Sequence, residues 1–321
     1  MLSEFELIAR YFSRPPAPDS RTALGVGDDC ALMTPAPGMQ LAISSDMLVE
    51  GRHFFPDADP LLLGHKCLAV NLSDLAAMGA QPIAFTLALA LPQARAEWLA
   101  PFSRGMLALA DEHGCELIGG DTTKGPLTIS ITVFGEVPPQ QALRRDAARA
   151  GDDIWVSGTL GDARLALAGY RQELDINSEA LQQAAPRMHA PSPRVSLGLA
   201  LRGIAHAAID ISDGLAGDLG HILDRSHVGA TLDVDALPPG PALQQRDLHL
   251  RRRFCLSGGD DYELCFTAPV RQREAVLHAA QSVGTAVTRI GHIDAQAGLR
   301  LLDAAGEPLQ DTPDSFDHFR S

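Results

Sequence analysis

Lys66-Cys-Leu-Ala-Val-Asn-Leu-Ser-Asp-Leu-Ala-Ala-Met78 reads as a helix that is apolar nearly all round, and such a helix is buried. Asn71 and Asp74 stand three apart in it and so share one face. Period-two alternation predicts what surrounds it. In Leu127-Thr-Ile-Ser-Ile-Thr-Val133 the residues Leu127, Ile129, Ile131 and Val133 fall on one face of a strand. Residues 40–46 and 207–213 are shorter versions that run into acidic ends, and 115–118 and 153–157 are further strand candidates. Helical stretches at 61–78, 96–113, 162–171 and 271–283 lie between them. Strands alternating with helices of this length predict an α/β chain.

At 321 residues the chain is long for one ordinary core and comfortable for two domains. Turn-formers at Val137-Pro-Pro-Gln-Gln, then a polar run with arginines ending in Ala150-Gly-Asp, mark the boundary. The expected division is a first domain at 1–138, a linker at 139–152 and a second domain at 153–321. A hydrophobic fraction of 45% supports a real core, while 5% aromatics leaves its packing to aliphatic residues and alanine. Forty acidic residues against 26 Lys and Arg give a formal charge of −14, which disfavours nucleic acid and anionic membranes as partners. An anionic small molecule stays compatible, provided metal ions sit between carboxylate and phosphate.

Five cysteines without a C-x-x-C pair argue against a disulfide framework or a structural zinc site and suit a reducing cytosol. Cys30, after Asp29, reads as a small buried residue. Residues 1–10 carry Glu4 and Glu6 and no long apolar run, the pattern expected without a signal peptide. The apolar run 83–91 is too short to span a bilayer. The expectation is a soluble, cytoplasmic globular protein.

Acidic residues recur beside glycine and at strand ends. They are Gly27-Asp-Asp29, Ser44-Ser-Asp46, Asp74, Gly119-Gly-Asp-Thr122, Asp210-Ile-Ser-Asp-Gly214 and Gly258-Gly-Asp-Asp261. Strand-to-helix loops are where α/β proteins build sites, and clustered oxygen ligands select Mg²⁺ or Mn²⁺. Each pair taken alone is also ordinary turn chemistry. Asp74 is either a metal ligand or a carboxylate with an internal partner such as Lys66 or a helix end. Asp213-Gly214 turns into a helix near Leu215, so Asp213 is either a ligand or an N-cap.

Gly25-Val-Gly27 lacks the third glycine of a dinucleotide fingerprint, and Gly64-His-Lys-Cys is no Walker A motif. Any nucleotide therefore binds without a P-loop. Gly119-Gly120 offers close backbone approach, and Arg144 and Arg145 could supply positive charge or simply form a solvated run. No catalytic triad or nucleophile elbow is legible. His53, just beyond the Asp46 strand, is either a substrate contact or a surface or hydrogen-bonded histidine.

GVGDDCAL (25–32), AISSDMLVEGRHF (42–54), KCLAVNLSDLAAMGAQP (66–82), LIGGDTTKGPL (117–127), DISDGLAGDLGHIL (210–223), SGGDDYELCFT (257–267) and FDHF (316–319) together resemble the thiamine-monophosphate kinase family. That family sits in the wider superfamily of aminoimidazole-ribonucleotide-synthetase-like ATP-binding enzymes. The resemblance covers essentially the whole chain. It implies two α/β domains with nucleotide in the cleft between them, a homodimer, and transfer of phosphate from ATP to thiamine monophosphate. Carried over, Asp29, Ser44, Ser45, Asp46, Asp74, Asp121, Asp210 and Asp213 would hold several Mg²⁺ ions, with Asp46, Asp74 and Asp210 catalytic. Gly120, Asp121, Arg145 and Ser212 would bind ATP, and His53, Asp260 and Phe316 would contact thiamine monophosphate. Asp260 stands where the family typically has Glu. Phe316 stands where a more polar aromatic is common, so it keeps a stacking surface and loses a hydroxyl. The alternatives are another ATP-dependent kinase or synthetase of the superfamily, a hydrolase using clustered metals, and a non-catalytic nucleotide- or metal-binding module.

Overall fold

The structure, a computed structural model, describes residues 4–15, 17 and 20–309. The chain divides into two compact units, one of Met1–Leu75 with Ala80–Gln140 and one of Ala76–Gly79 with Gln141–Ser321.

In the first unit α1 (Glu4–Tyr11), β1 (Thr22–Leu24), β2 (Leu32–Met33), β3 (Gln40–Val49), α2 (Pro60–Ala77), β4 (Gln81–Leu91), α3 (Ala96–His113), β5 (Glu116–Lys124) and β6 (Thr128–Val137) follow in order; the last two residues of α2 count with the second unit. Among the described residues the main sheet has the order β3-β6-β4-β5, antiparallel except between β4 and β5. The alternation read in 127–133 shapes β6: Ile129, Ile131 and Val133 are buried, and Thr128, Ser130 and Thr132 between them are half-buried. The apolar run 83–91 belongs to β4, hydrogen-bonded on both edges and buried at most positions, which is why it lacks a polar face.

The all-round apolar character of α2 is matched by its burial, with Cys67, Leu68, Leu72 and Leu75 all but inaccessible. It meets α3 backbone to backbone. A Cβ on Gly64 would collide with the Phe102 carbonyl, and one on Gly105 with the Leu61 carbonyl. Those two glycines set how near the helices come, and the close approach seals the core without large aromatic residues.

The second unit runs β7 (Asp152–Ser157), α4 (Asp162–Tyr170), α5 (Ser178–His189), α6 (Val195–Ala200), β8 (Ala207–Asp210), α7 (Leu215–Ser226), β9 (Gly229–Asp233), α8 (Leu248–Ser257), β10 (Leu264–Pro269), α9 (Arg273–Ser282), β11 (Val287–Asp294) and β12 (Gly298–Leu302). Among the described residues its sheet has the order β12-β9-β11-β7-β10-β8, antiparallel except for β12 on β9. β7 and β10 are central and buried at every position. The fold is mixed α/β with predominantly antiparallel pairing.

Three expectations change. Cys30 is exposed, because residues 29 and 30 form a bend outside any strand and their side chains face solvent. The strand expected over 115–118 continues to Lys124, and that over 40–46 to Val49. Gly119, Gly120, Asp121 and Asp46 therefore lie inside strands rather than in loops at strand ends. The 207–213 strand instead stops at Asp210.

Gly105→Ala is expected to destabilise the protein by about 3 kcal/mol, since the added methyl must push α3 off a neighbouring backbone carbonyl. A thermal melt would show it, and a melting temperature unchanged from the wild type would mean that the helices can part freely.

Candidate active site

In the first unit Ser44, Ser45 and Asp46 lie on β3 and Asp74 on α2, and His53 follows β3. Asp29, Gly120 and Asp121 lie elsewhere, the last two on β5 at the far edge of the sheet. The Ser44 hydroxyl donates to the Asp74 carboxylate, which is half-buried on α2 rather than fully enclosed with its neighbours. The Asp46 backbone N–H donates to Asn71 Oδ1 at 3.1 Å, and Asn71 in turn donates to the Cys67 carbonyl at 2.9 Å, one turn back along α2. The shared face of Asn71 and Asp74 is thus the face of α2 that receives β3. Burial, and then repulsion from Asp74, push the Asp46 carboxyl up to about 6. Ser45 bonds elsewhere, to the Ile131 carbonyl at 3.1 Å and the Thr132 hydroxyl at 3.0 Å.

Asp46 pairs in register with Ile131, and Gly120 with Leu87, in one row across the sheet; Asp121 pairs with Ala88 in the next row and is exposed. Gly120 has φ +143°, and a Cβ there would run into the Leu87 carbonyl, so β5 can lie this close to β4 only with glycine at that place. Asp29 is exposed, and its N–H is taken by the Asp28 side chain at 2.8 Å. His53 is half-buried and its Nδ1 accepts the Val49 N–H at 3.0 Å, which puts the proton of the neutral ring on Nε2.

In the second unit the candidates Ser212, Asp213 and Asp260 sit on two adjacent loops. Asp210 is buried at the carboxyl end of β8, opposite Leu264 of β10. Residues 211–214 follow and turn into α7. The N-cap of α7 is Gly214 without a side-chain capping bond, so Asp213 is not the cap. Asp218, in the first turn of α7, caps from inside instead: its Oδ2 accepts the N–H groups of Ser212, Asp213 and Gly214 at 3.0, 3.1 and 3.2 Å. The second loop, 258–263, is stitched to the first. Asp260 N–H donates to the Ser212 carbonyl and Tyr262 N–H to the Ile211 carbonyl, both at 2.8 Å, and Asp260 and Tyr262 both hold positive φ.

This second loop is anchored from beneath. Glu263 is fully buried and accepts from Arg187 at 2.7 Å, from Arg194 at 2.5 and 2.6 Å and from Ser157 at 2.5 Å. Asp261, also fully buried, accepts the Gly161 N–H, and burial holds its carboxyl well above the usual range. Arg145 is exposed, with its carbonyl accepting from the Ser226 hydroxyl at 2.8 Å. Phe316 lies outside the described residues.

Asp218, Glu263, Arg187 and Arg194 were not singled out in the sequence, whereas Asp261 was, in the motif Gly258-Gly-Asp-Asp261. For Asp218 a signal existed, an acid in the first turn directly after Asp213-Gly214. None existed for the arginines, which lie 69 and 76 residues from their partner.

Comparison with known proteins covers the same ground. The family model "AIR synthase related protein, N-terminal domain" matches residues 27–137, and "AIR synthase related protein, C-terminal domain" matches 149–303. The thiamine-monophosphate kinase of Salmonella typhimurium is 46% identical over 98% of both chains, and that of Escherichia coli K12 is 45% identical over the same shares. Among solved structures, a thiamine-monophosphate kinase from Stenotrophomonas maltophilia K279a is 48% identical, with a TM-score of 0.84 over 91% of this chain and 93% of its own. A structure described as AaThiL complexed with AMPPCP and TMP is 28% identical, with a TM-score of 0.77 over 89% of each chain.

Among the described residues no three His, Cys, Asp or Glu side chains gather closely enough to hold a metal ion by themselves. Magnesium asks for less, because it commonly binds through one or two carboxylates and completes its shell with water and substrate phosphates. Asp46 and Asp74 fit that demand: they are oxygen donors close enough to repel, and a cation relieves the repulsion. Since the folded-state value of Asp46 lies above its ordinary value near 4, its ionised form costs stability above about pH 6 and costs nothing below about pH 4. In chelator, Asp46→Asn is therefore expected to be more stable than the wild type at pH 8, by at most about 3 kcal/mol, with the difference fading toward pH 4. Thermal melts across that range check it; a variant less stable than the wild type at pH 8 would contradict the strained pair.

Proposed function

The chain belongs to the thiamine-monophosphate kinase family, and from that premise we propose that it moves the terminal phosphoryl group of ATP directly onto thiamine monophosphate, giving ADP and thiamine diphosphate. The observation that carries this reading is the span of the likeness, 46% identity over 98% of the chain, which takes in the acidic motifs of both units. A relative described as holding AMPPCP and TMP supports the same two substrates here.

The attacking oxygen belongs to a phosphate monoester, whose second pKa is near 6, so it is already anionic at neutral pH. The protein need not remove a proton from it, in keeping with the absence of any legible triad. Its task is to position two anions for in-line attack. Asp29, Ser44, Ser45, Asp46, Asp74, Asp121, Asp210 and Asp213 are assigned to holding several Mg²⁺ ions, whose charge would offset that of the two substrates. Gly120 gives the nucleotide a bare stretch of backbone, Ser212 a hydroxyl beside Asp210 and Asp213, and Arg145, in the 139–152 linker, a positive charge. His53 presents Nε2–H to thiamine monophosphate, and Asp260 sits on a loop fixed from both sides. Phe316 completes the assignment as a stacking surface.

We assign the working state to a homodimer in the cytoplasm. β3 is an edge strand, and Leu41, Ile43 and Met47 at alternate positions are 41%, 60% and 57% exposed, an apolar row suited to a second copy. Among the described residues no helix is long and apolar enough to cross a membrane.

ADP release is expected to require both Mg²⁺ and thiamine monophosphate. Release without acceptor would point to a hydrolase, and none under any condition to a binding module. Asp46→Asn, Asp74→Asn and Asp210→Asn should each lower turnover by about two orders of magnitude or more while the protein stays folded. Near-normal turnover in all three would remove the metal-holding role. Transfer is direct, so no labelled phospho-protein should be trapped on the path.

A further inference from the structure

The loop at 211–214 is bonded along both edges, and the two edges are secured by different groups. On one edge stands Asp218, 3% exposed, with a single carboxylate oxygen receiving three successive backbone N–H groups. On the other edge Ser212 and Ile211 offer their carbonyls to Asp260 and Tyr262, and Ile211 N–H donates to the Glu263 carbonyl at 2.8 Å. That second edge has its own foundation, the Glu263 carboxylate under Arg187, Arg194 and Ser157. Among the described residues, the hydrogen bonds of the Asp218 carboxylate go to the backbone of 212–214.

A loop whose side chains must meet nucleotide and metal cannot be fixed by those same side chains, since they are committed to ligands. Gly214, at the N-cap, has none to offer. Asp218 supplies the hold from the helix. It fixes the backbone from which the Ser212 and Asp213 side chains project.

We propose that Asp218 is a positioning residue for the nucleotide side of the reaction, holding 212–214 so that Ser212 and Asp213 meet ATP and its metal, while the 258–263 loop keeps its own anchor at Glu263. This rests on the roles given above to Ser212, Asp213 and Asp260. Loss of the carboxylate frees three N–H groups and lets 212–214 move, but leaves the Glu263 anchor in place. The consequence is a selective one, a defect in nucleotide binding without a matching defect for thiamine monophosphate.

The test uses the full chain with Asp218→Ala and Asp218→Asn, measuring AMPPCP and thiamine monophosphate binding by calorimetry, KM for each substrate, and folding by thermal melt. Asp218→Ala is expected to weaken AMPPCP binding by about tenfold or more and to raise KM for ATP in step, with thiamine monophosphate affinity within about threefold of the wild type. Asp218→Asn keeps a side-chain oxygen to accept the N–H groups and is expected to recover most of the loss. Unchanged AMPPCP affinity in Asp218→Ala, parallel loss of both ligands, or no recovery in Asp218→Asn would each overturn the proposal. Should Asp218→Ala not fold, Asp218→Glu takes its place. Its longer arm displaces the loop and must give the same split, and an unchanged KM for ATP in it would overturn the proposal. A wild-type protein that binds neither AMPPCP nor thiamine monophosphate overturns the kinase reading itself, an outcome distinct from any failure confined to the variants.

Discussion

A carboxylate taken out of water must be met by donors or by a cation, and this one constraint sorts the acidic residues of the protein into two kinds. Glu263 is met by two guanidinium groups and a hydroxyl, and Asp218 by three backbone N–H groups. Both are hydrogen-bonded inside the folded chain, although burial still pushes the Asp218 carboxyl up to about 7. Asp46 is not in that position: what surrounds it is burial and a second carboxylate, Asp74, and its proton affinity rises accordingly. The hydrogen-bonded acids hold backbone in place, whereas Asp46 stands beside a second carboxylate, a pair whose repulsion a cation would relieve.

The same division explains how a protein of net charge −14 can be suited to two phosphate-bearing substrates. Glu263 is offset by two arginines, and Asp218 is hydrogen-bonded to three backbone N–H groups. On the proposed reading, acids such as Asp46 and Asp74 would attract cations first, and the cations would bring phosphates. Basic side chains are scarce among the expected site residues, Arg145 being the one arginine there, because most of the attraction is delegated to ions that the acids would recruit.

Much of the fold was legible. Helix α3 was read with its observed ends, and α7 begins at Leu215 where Asp213-Gly214 signalled a turn. The apolar surround of α2 announced its burial. The reading of 83–91 stopped at its length, because its less buried positions, Thr86, Ala88 and Ala90, carry no charge to mark a second face. The extension of β5 through Gly119-Gly120-Asp121 was missed for a related reason. Glycine beside aspartate is ordinary turn chemistry, and only the approach of Leu87 shows that here the glycine serves a strand.

Local residue type and spacing determined which stretches become helix or strand, and which acids cluster beside glycine. These depend on neighbours a few positions away, and short-range sterics and periodicity carry that information. Through its motifs the sequence also determined the family. The tertiary structure alone decided which acid answers which partner: that Ser44 binds Asp74, that Arg187 and Arg194 converge on Glu263, and that Asp218 rather than Asp213 caps α7. Those pairings join residues brought together by sheet register and helix packing, and no periodicity in the chain encodes a meeting between positions 69 or 76 residues apart.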